Sequence, residues 1–280
     1  MESYLNGEYF QQEKVLISPN DRGFLMGDGI YEVVRSYQGY MFQIDAHMER
    51  LSYGAKALHF NRLRFDEIKE ITRELIIRNN LIKKDATVYI QITRGVADRS
   101  HLFPSADTPL TIYATAKEFF PKLLDIKKGI SAILYPDNRW ARCDIKSINL
   151  IVNSMAHQHA FDSGAQEAIF IRDGYLTEGA HTNVLMVNNQ NIITPPKTNY
   201  ILEGITRKVV LSLCNTHKIP VEERPISEKE LFMADELIIV GTTVEITPVI
   251  QLNQQLIKDG KPGPVTIKLQ RLFNEFKIPK

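Results

Sequence analysis

Apolar and polar positions along the chain switch repeatedly between a period of two and a period near 3.6, and these switches mark the elements. Near the start, "EKVLIS" reads as a strand, and "YEVVRSYQGYMFQI" reads as a hairpin turning at Gln38-Gly39. Helical spacing follows. Met48, Leu51, Ala55 and Leu58 share one face of "AHMERLSYGAKALH", with Asp45 placed to cap its start, and Ile68, Ile71, Leu75 and Ile76 share one face of "DEIKEITRELIIRNN". The period of two returns in "ATVYIQITRG" and "PLTIYATAKEF", with Val88, Ile90 and Ile92 on one face of the first.

A proline and a charged, turn-prone stretch in "FFPKLLDIKKG" separate two strand-rich regions and place a domain boundary there. The expected division is a smaller α+β domain over residues 1–119 and a larger α/β domain over 120–280. Beyond the boundary come the strand "ISAILYP", a helix after Lys146, a hairpin through Asp173-Gly174, and the strand "TNVLMV" with its turn "NNQN". A helix from about Ile205 to His217, the strand "PVEERPI", a short helix, the strands "ELIIVG" and "EITPVIQL", and a final helix from about Pro264 complete the reading. The fold class is α+β in two domains, without internal repeats or low-complexity segments.

Composition narrows the partners. The 280 residues include 44% hydrophobic ones, enough to fill sizeable cores. With 34 basic against 33 acidic side chains and a formal charge of +1, electrostatics gives no reason to expect nucleic acid or an anionic membrane. Cys143 and Cys214 fit neither a disulfide framework nor the paired spacing of a zinc site, which suits a reducing compartment. The start "MESYLNGEYFQQEK" lacks the basic and apolar regions of a signal peptide, and no apolar run reaches membrane-spanning length. A soluble cytoplasmic protein acting on a small molecule is expected.

Candidate chemistry begins with Lys146 in "RWARCDIKSINL". Burial lowers a lysine's pKa and makes its amine nucleophilic, although a lysine near a helix start is by itself an ordinary surface charge. Glu178 in "LTEGAHTNVLMV" ends a hairpin strand, and Gly179 beside it permits a close backbone approach; a carboxylate there can pair with a protonated ring nitrogen or simply face water. In "ILEGITRKVV", Gly204 precedes a helix whose first-turn amides, at Ile205 and Thr206, can hold an anion. Gly241, Thr242 and Thr243 offer further donors in a turn, and Arg50 in "HMERL" offers a cationic clamp. An amine, a carboxylate and two phosphate-type sites together are what pyridoxal 5'-phosphate requires.

The order of "DRGFLMGDGIYEVVR", "RWARCDIKSINL", "TEGAHTNV", "LEGITR", "GTTVEITPV" and "LIKDGKPGP" resembles that of the class IV, branched-chain-type aminotransferases, and among them the bacterial D-amino acid aminotransferases. The resemblance spans nearly the whole chain. It implies a fold-type IV structure with pyridoxal phosphate at the domain interface. It also makes Lys146 the lysine that joins the cofactor aldehyde and moves the substrate proton, and Glu178 the partner of the pyridine nitrogen. Arg50, Ile205, Thr206, Gly241 and Thr242 fall on its phosphate-binding positions. Arg99 and His101 in "TRGVADRSHLFP", with Tyr31, match the residues that trap the substrate α-carboxylate; in the family this loop arrives from the neighbouring subunit, which implies a homodimer. The implied reaction is transamination between a D-amino acid such as D-alanine or D-glutamate and a 2-oxo acid such as 2-oxoglutarate or pyruvate.

Three other readings stay open: an L-branched-chain transaminase, a lyase resembling aminodeoxychorismate lyase, and a protein that holds pyridoxal phosphate without turnover. The arginine-x-histidine pair of residues 99–101 argues against the first two, and "GAQEA", where branched-chain enzymes usually carry a tyrosine at the position of Ala165, argues against the first again. Intact Lys146 and Glu178 argue against the third. His181 stands where the D-specific enzymes carry small hydroxyl residues, giving a bulkier, titratable wall, whereas Leu185 for an aromatic residue reads as packing. No metal is expected, because His157 and His159, two apart on a helix, point to different faces. "GDGIYE" lacks the dinucleotide-binding glycine pattern, and no serine nucleophile elbow is present.

Overall fold

The computed structural model describes residues 1–60 and 63–278. The chain divides into two compact units, Met1–Phe120 with Ile145–Asn149, and Pro121–Asp144 with Leu150–Lys280. A single cut after residue 119 therefore misses one feature, since five residues around Lys146 belong with the first unit. Their backbone accounts for this: the Tyr31 N–H donates to the Lys146 carbonyl at 3.0 Å, the Ile148 N–H donates to the Gly29 carbonyl at 3.1 Å, and the Ile145 side chain joins the first unit's core.

The first unit runs β1 (Glu2–Leu5), β2 (Glu8–Gln11), α1 (Arg22–Met26), β3 (Gly29–Tyr37), β4 (Tyr40–Met41), α2 (Ile44–Ala57), α3 (Phe65–Arg78), β5 (Ala86–Thr93) and β6 (Thr111–Glu118). Its six strands form one antiparallel sheet in the order β2-β1-β6-β5-β3-β4. Alternation puts Ile30 and Val34 of β3, and Val88, Ile90 and Ile92 of β5, on the face that packs with Met48, Leu51 and Ala55 of α2 and Ile68, Ile71 and Leu75 of α3. The hairpin at Gln38-Gly39 forms as expected, with both residues at positive φ (48° and 87°).

Two local expectations fail. "EKVLIS" is not a strand: Gln12–Lys14 makes one 3-10 turn, and Leu16 and Ile17 are exposed. Three consecutive apolar residues do not define one face, so the run never acquires a sheet partner. The hairpin missed nearby is β1–β2, turning at Asn6-Gly7 with φ of 50° and 106°; its Asn-Gly pair is among the strongest hairpin signals. Asp45 is also not the cap of α2, because the helix begins one residue earlier with Gln43 at the cap position. Asp45 instead lies in the first turn, where its charge suits the helix dipole and pairs with Lys69 at 2.7 Å.

The second unit contains α4 (Leu123–Lys128), β7 (Ile130–Pro136), α5 (Ile151–Asp162), β8 (Glu167–Arg172), β9 (Tyr175–Gly179), β10 (Asn183–Asn188), β11 (Asn191–Thr194), α6 (Ile205–Thr216), β12 (Val221–Glu223), α7 (Glu228–Leu231), β13 (Glu236–Gly241), β14 (Glu245–Leu252), β15 (Gln255–Leu256) and α8 (Pro264–Phe276). Its sheet has the order β12-β11-β10-β13-β14-β7-β8-β9, with β15 on β14. The pairs β11–β12, β14–β7 and β7–β8 are parallel, and α5 lies in the crossover that joining β7 to β8 requires. In β13, Leu237 to Val240 are all buried, which explains an unbroken apolar run where an exposed face would alternate. The charged stretch taken as turn-prone at the boundary holds the helix α4.

The connection from β5 to β6 carries Arg99 and His101 and is fixed at its root. Gly95 has φ of +87°, and a Cβ added there would stand 1.9 Å from the Pro109 carbonyl oxygen. Gly95→Ala is therefore expected to cost about 2–3 kcal/mol through backbone strain and that clash. The urea midpoint measures it; an unchanged midpoint would mean that the Pro109 carbonyl moves freely.

Candidate active site

Lys146 sits in an irregular segment that bridges to β3 through Ser147 rather than at the entrance of α5, which starts at Ile151. The half-buried amine lies 4.2 Å from the centroid of the Tyr31 ring. Tyr31 in turn leans on Tyr89 with ring centroids 5.7 Å apart. Burial, followed by the neighbouring Tyr31 and Tyr113, pushes the Tyr89 phenol up to about 12, so it stays protonated and donates to Gln91 Oε1 at 2.6 Å.

Glu32, the next residue of β3, points the opposite way and is fully buried beneath α2. Arg50 donates to it twice, from Nε at 2.7 Å and Nη2 at 2.8 Å, and His47 Nδ1 lies 2.7 Å from its second oxygen. Spacing of three residues places His47 and Arg50 on the same face of α2. Burial by itself would raise the Glu32 carboxyl, but Arg50 and His47 outweigh it and hold the group ionised well below the usual carboxylate range. His47 is driven downward, first by burial, so its neutral ring donates from Nδ1. Neither Glu32 nor His47 figured in the sequence reading. The available signal was a carboxylate in phase with Ile30 and Val34, on the apolar face of a strand.

"DRGFLMGDG" is an anchor for the loop. Asp21 caps α1 by accepting from the Gly23 N–H at 2.8 Å, and Gly27 ends that helix in the left-handed conformation. Asp28 binds two guanidinium groups, Arg22 and Arg94, each with Nε at 2.8 Å, and Arg22 Nη1 reaches the Ser100 carbonyl at 2.8 Å. Arg99 and His101 flank that anchored residue and are exposed, as are Leu102 and Phe103 beyond them.

In the second unit Glu178 is buried at the end of β9. It accepts from Arg139 Nη1 at 2.5 Å, Asn183 Nδ2 at 3.2 Å and the Leu202 N–H at 3.1 Å. Asp137 shares the same guanidinium, taking Arg139 Nε at 2.9 Å and Nη2 at 2.9 Å, and also binds Arg172 and Thr177. The two acids therefore differ. Asp137 is held down to about 2 because Arg139, Arg172 and Thr177 outweigh burial, whereas burial raises Glu178 to about 7 despite Arg139. Glu178 is among the residues expected from the sequence; Arg139 and Asp137, which lie on another segment, are not.

The start of α6 has no side-chain cap, although Ile205, Thr206 and Arg207 are all buried. The first N–H groups of a helix have no intrahelical partner, so this start presents a buried donor set. Gly204 ahead of it is required locally, since a Cβ would meet Asn183 Oδ1 at 1.9 Å. Gly241 closes β13, and Thr242 opens the short turn into β14. Gly179 meets its own turn: a Cβ there would fall 2.1 Å from Thr182 Oγ1, so the close approach expected of it is internal. Leu185 is wholly buried packing, and His181 is half-exposed with Nδ1 3.3 Å from Glu167 Oε2.

A family model described as amino-transferase class IV matches residues 29–252. The chain is 40% identical over 274 residues to the D-alanine aminotransferase of Staphylococcus haemolyticus, covering 98% of this chain and 96% of that one. The D-alanine aminotransferase of Bacillus licheniformis is also 40% identical, over 272 residues, with 96% and 95% covered. Among solved structures, the branched-chain amino acid aminotransferase of Escherichia coli superposes with a TM-score of 0.90 at 28% identity, over 99% of this chain and 94% of that one. The chain belongs to the class IV aminotransferases. It has their fold-type IV architecture and is an aminotransferase that works with pyridoxal 5'-phosphate.

Proposed function

We propose that this aminotransferase moves the amino group of a D-amino acid, D-alanine or D-glutamate, to a 2-oxo acid such as 2-oxoglutarate or pyruvate. Lys146, Arg50, Glu178, Ile205, Thr206, Gly241 and Thr242 are the residues that hold the pyridoxal phosphate. The observation that carries this reading is the pairing of high identity to D-alanine aminotransferases with the Arg99-x-His101 sequence on an anchored loop. The residues suit the cofactor: a half-buried amine against an aromatic ring, a buried carboxyl poised near neutrality, and a buried helix start without a cap.

Bound pyridoxal phosphate supplies an aldehyde for the amino group and a ring that takes up electrons from the α carbon. Every other step falls to the chain. The Glu178 carboxylate keeps a proton on the ring nitrogen, and Arg139 and Asn183 hold that carboxylate in place. Arg50, oriented by the two hydrogen bonds it donates to Glu32, and the amides of Ile205 and Thr206 hold the phosphate, with Gly241 and Thr242 completing the cradle. Lys146 Nζ takes the proton from the α carbon and would carry it to the cofactor-side carbon bonded to the transferred nitrogen. Tyr31, Arg99 and His101 hold the α-carboxylate, Arg99 by two parallel bonds. Since the α-hydrogen must face the lysine, the side on which the carboxylate is held sets the handedness.

Arg99 and His101 act on the neighbouring copy in a homodimer. Exposed Leu102 (79%) and Phe103 (56%) beside them support burial of this loop against a second chain. Two free, buried cysteines fit the cytoplasm, and no helix among the described residues is long and apolar enough to cross a membrane.

The test is a half-reaction without oxo acid. D-Alanine is expected to bleach the visible cofactor band and raise the near-ultraviolet one, while L-leucine and L-glutamate do not. Bleaching by the L-substrates alone would overturn the D-specific reading in favour of an L-branched-chain enzyme. With D-alanine, Arg99→Ala should lower kcat/KM roughly 100-fold, the equivalent of about 3 kcal/mol for lost bonds to a charged group. An unaltered kcat/KM would remove Arg99 from the substrate site.

A further inference from the structure

Outside the groups assigned to transamination, three residues from separate parts of the second unit converge: His157 on α5, Glu167 at the start of β8, and His181 in the turn between β9 and β10. One ring nitrogen from each histidine and one carboxylate oxygen all lie within 4.8 Å of one another. His181 Nδ1 is 3.3 Å from Glu167 Oε2, His157 Nδ1 is 4.0 Å from Glu167 Oε1, and the two imidazoles stand edge to face with centroids 5.1 Å apart. We propose that His157, His181 and Glu167 form a binding site for a divalent transition ion of the zinc type, whose His181 backbone lies beside Gly241.

Three features favour an ion over a simple hydrogen-bonded cluster. The donor set of two imidazoles and one carboxylate matches the three-ligand zinc sites that leave a fourth position open. Bonds of about 2.1 Å in a tetrahedron separate ligand atoms by roughly 3.4 Å, so the observed spacing needs only small rotations of two half-exposed rings. Glu167, in contrast, is held from several sides. It is fully buried, its Oε1 accepts the Ala168 N–H at 2.9 Å and the Ala180 N–H at 3.2 Å, and its Oε2 accepts the Thr182 hydroxyl at 2.9 Å. These bonds leave Oε2, 3.3 Å from His181 Nδ1, with capacity for one more partner, and they are the outer support that holds a carboxylate ligand in place. Both histidines are exposed enough for an ion to enter from solvent.

Helical spacing had set His157 against His159 and excluded a shared ion, and the two do diverge: the ring of His159 packs on Tyr135 with centroids 5.5 Å apart. The partner that matters is His181, from a distant turn.

Calorimetric titration of the purified holoenzyme with zinc chloride tests the site, with magnesium chloride as control because that ion demands oxygen ligands. The expected result is one zinc per chain and no response to magnesium. His157→Ala and His181→Ala should each weaken binding at least tenfold, and both rings are half-exposed, so the variants should melt as the parent does. Zinc held elsewhere, on the cofactor phosphate included, would survive in the double variant. The absence of stoichiometric zinc binding, or binding of equal strength in the double variant, overturns the proposal whether or not the enzyme accepts D-amino acids.

Discussion

Lys146→Ala is expected to slow the half-reaction with D-alanine by at least ~10⁴-fold, the upper range for removing a positioned proton-transfer group. The variant should still fold. Lys146 contributes its backbone carbonyl to β3, which alanine preserves, and its half-buried side chain packs chiefly on Tyr31. Single-turnover absorbance measurements separate the amine's chemical role from cofactor retention, because the variant should keep part of its cofactor through the phosphate and ring contacts. A rate near that of the parent would exclude Lys146 as the amine that moves the proton. Addition of a small primary amine should restore part of the rate, whereas a structural lesion would not respond.

The second large effect is expected at Arg139. Arg139→Leu should destabilise the protein by about 3–5 kcal/mol, the usual cost of breaking a buried charge pair from one side. The guanidinium joins Asp137 to Glu178, and its removal leaves Glu178 with amide donors alone, and Asp137 with Arg172 and Thr177. In the parent, Asp137 lies at about 2, below its ordinary value, so the stability it contributes is present above about pH 4 and is lost as pH falls through 2. Glu178 at about 7 behaves oppositely, favouring the folded state below its ordinary value and losing that contribution as pH rises through 7. Without Arg139 both folded-state values move up, the native state holds more protons than the unfolded one, and the deficit should therefore grow from pH 5 to pH 8. Urea unfolding at the two pH values measures it. An equal deficit at both would mean that Arg139 acts through packing on Phe170, 4.3 Å from its ring centroid, rather than through charge.

Much of the fold was legible because strands and helices bury one face, and burial imposes a period. Val88, Ile90 and Ile92 read as one face, and all are wholly buried; the Gln38-Gly39 and Asp173-Gly174 turns read from their glycines, and all four residues have positive φ. Errors arose where that logic gives no answer. A run of three apolar residues at Val15–Ile17 does not choose a face, and "LNGEYF" was too short to show alternation although its turn was explicit. Lys146 reads as a helix start because it precedes an apolar run, but the intervening residues are irregular and bonded to β3.

By itself, then, the sequence determined the α+β class, most elements, and, through ordered segments from "DRGFLMGDG" to "GTTVEITPV", membership of the class IV aminotransferases. Tertiary structure alone decided which charges meet. Glu32 with His47 and Arg50, Asp137 and Glu178 on either side of Arg139, and Glu167 between His157 and His181 each join residues from different elements. Periodicity describes which way one element turns its side chains. A buried charge draws its partners from whichever element packs against it, and that choice is made only when the chain folds.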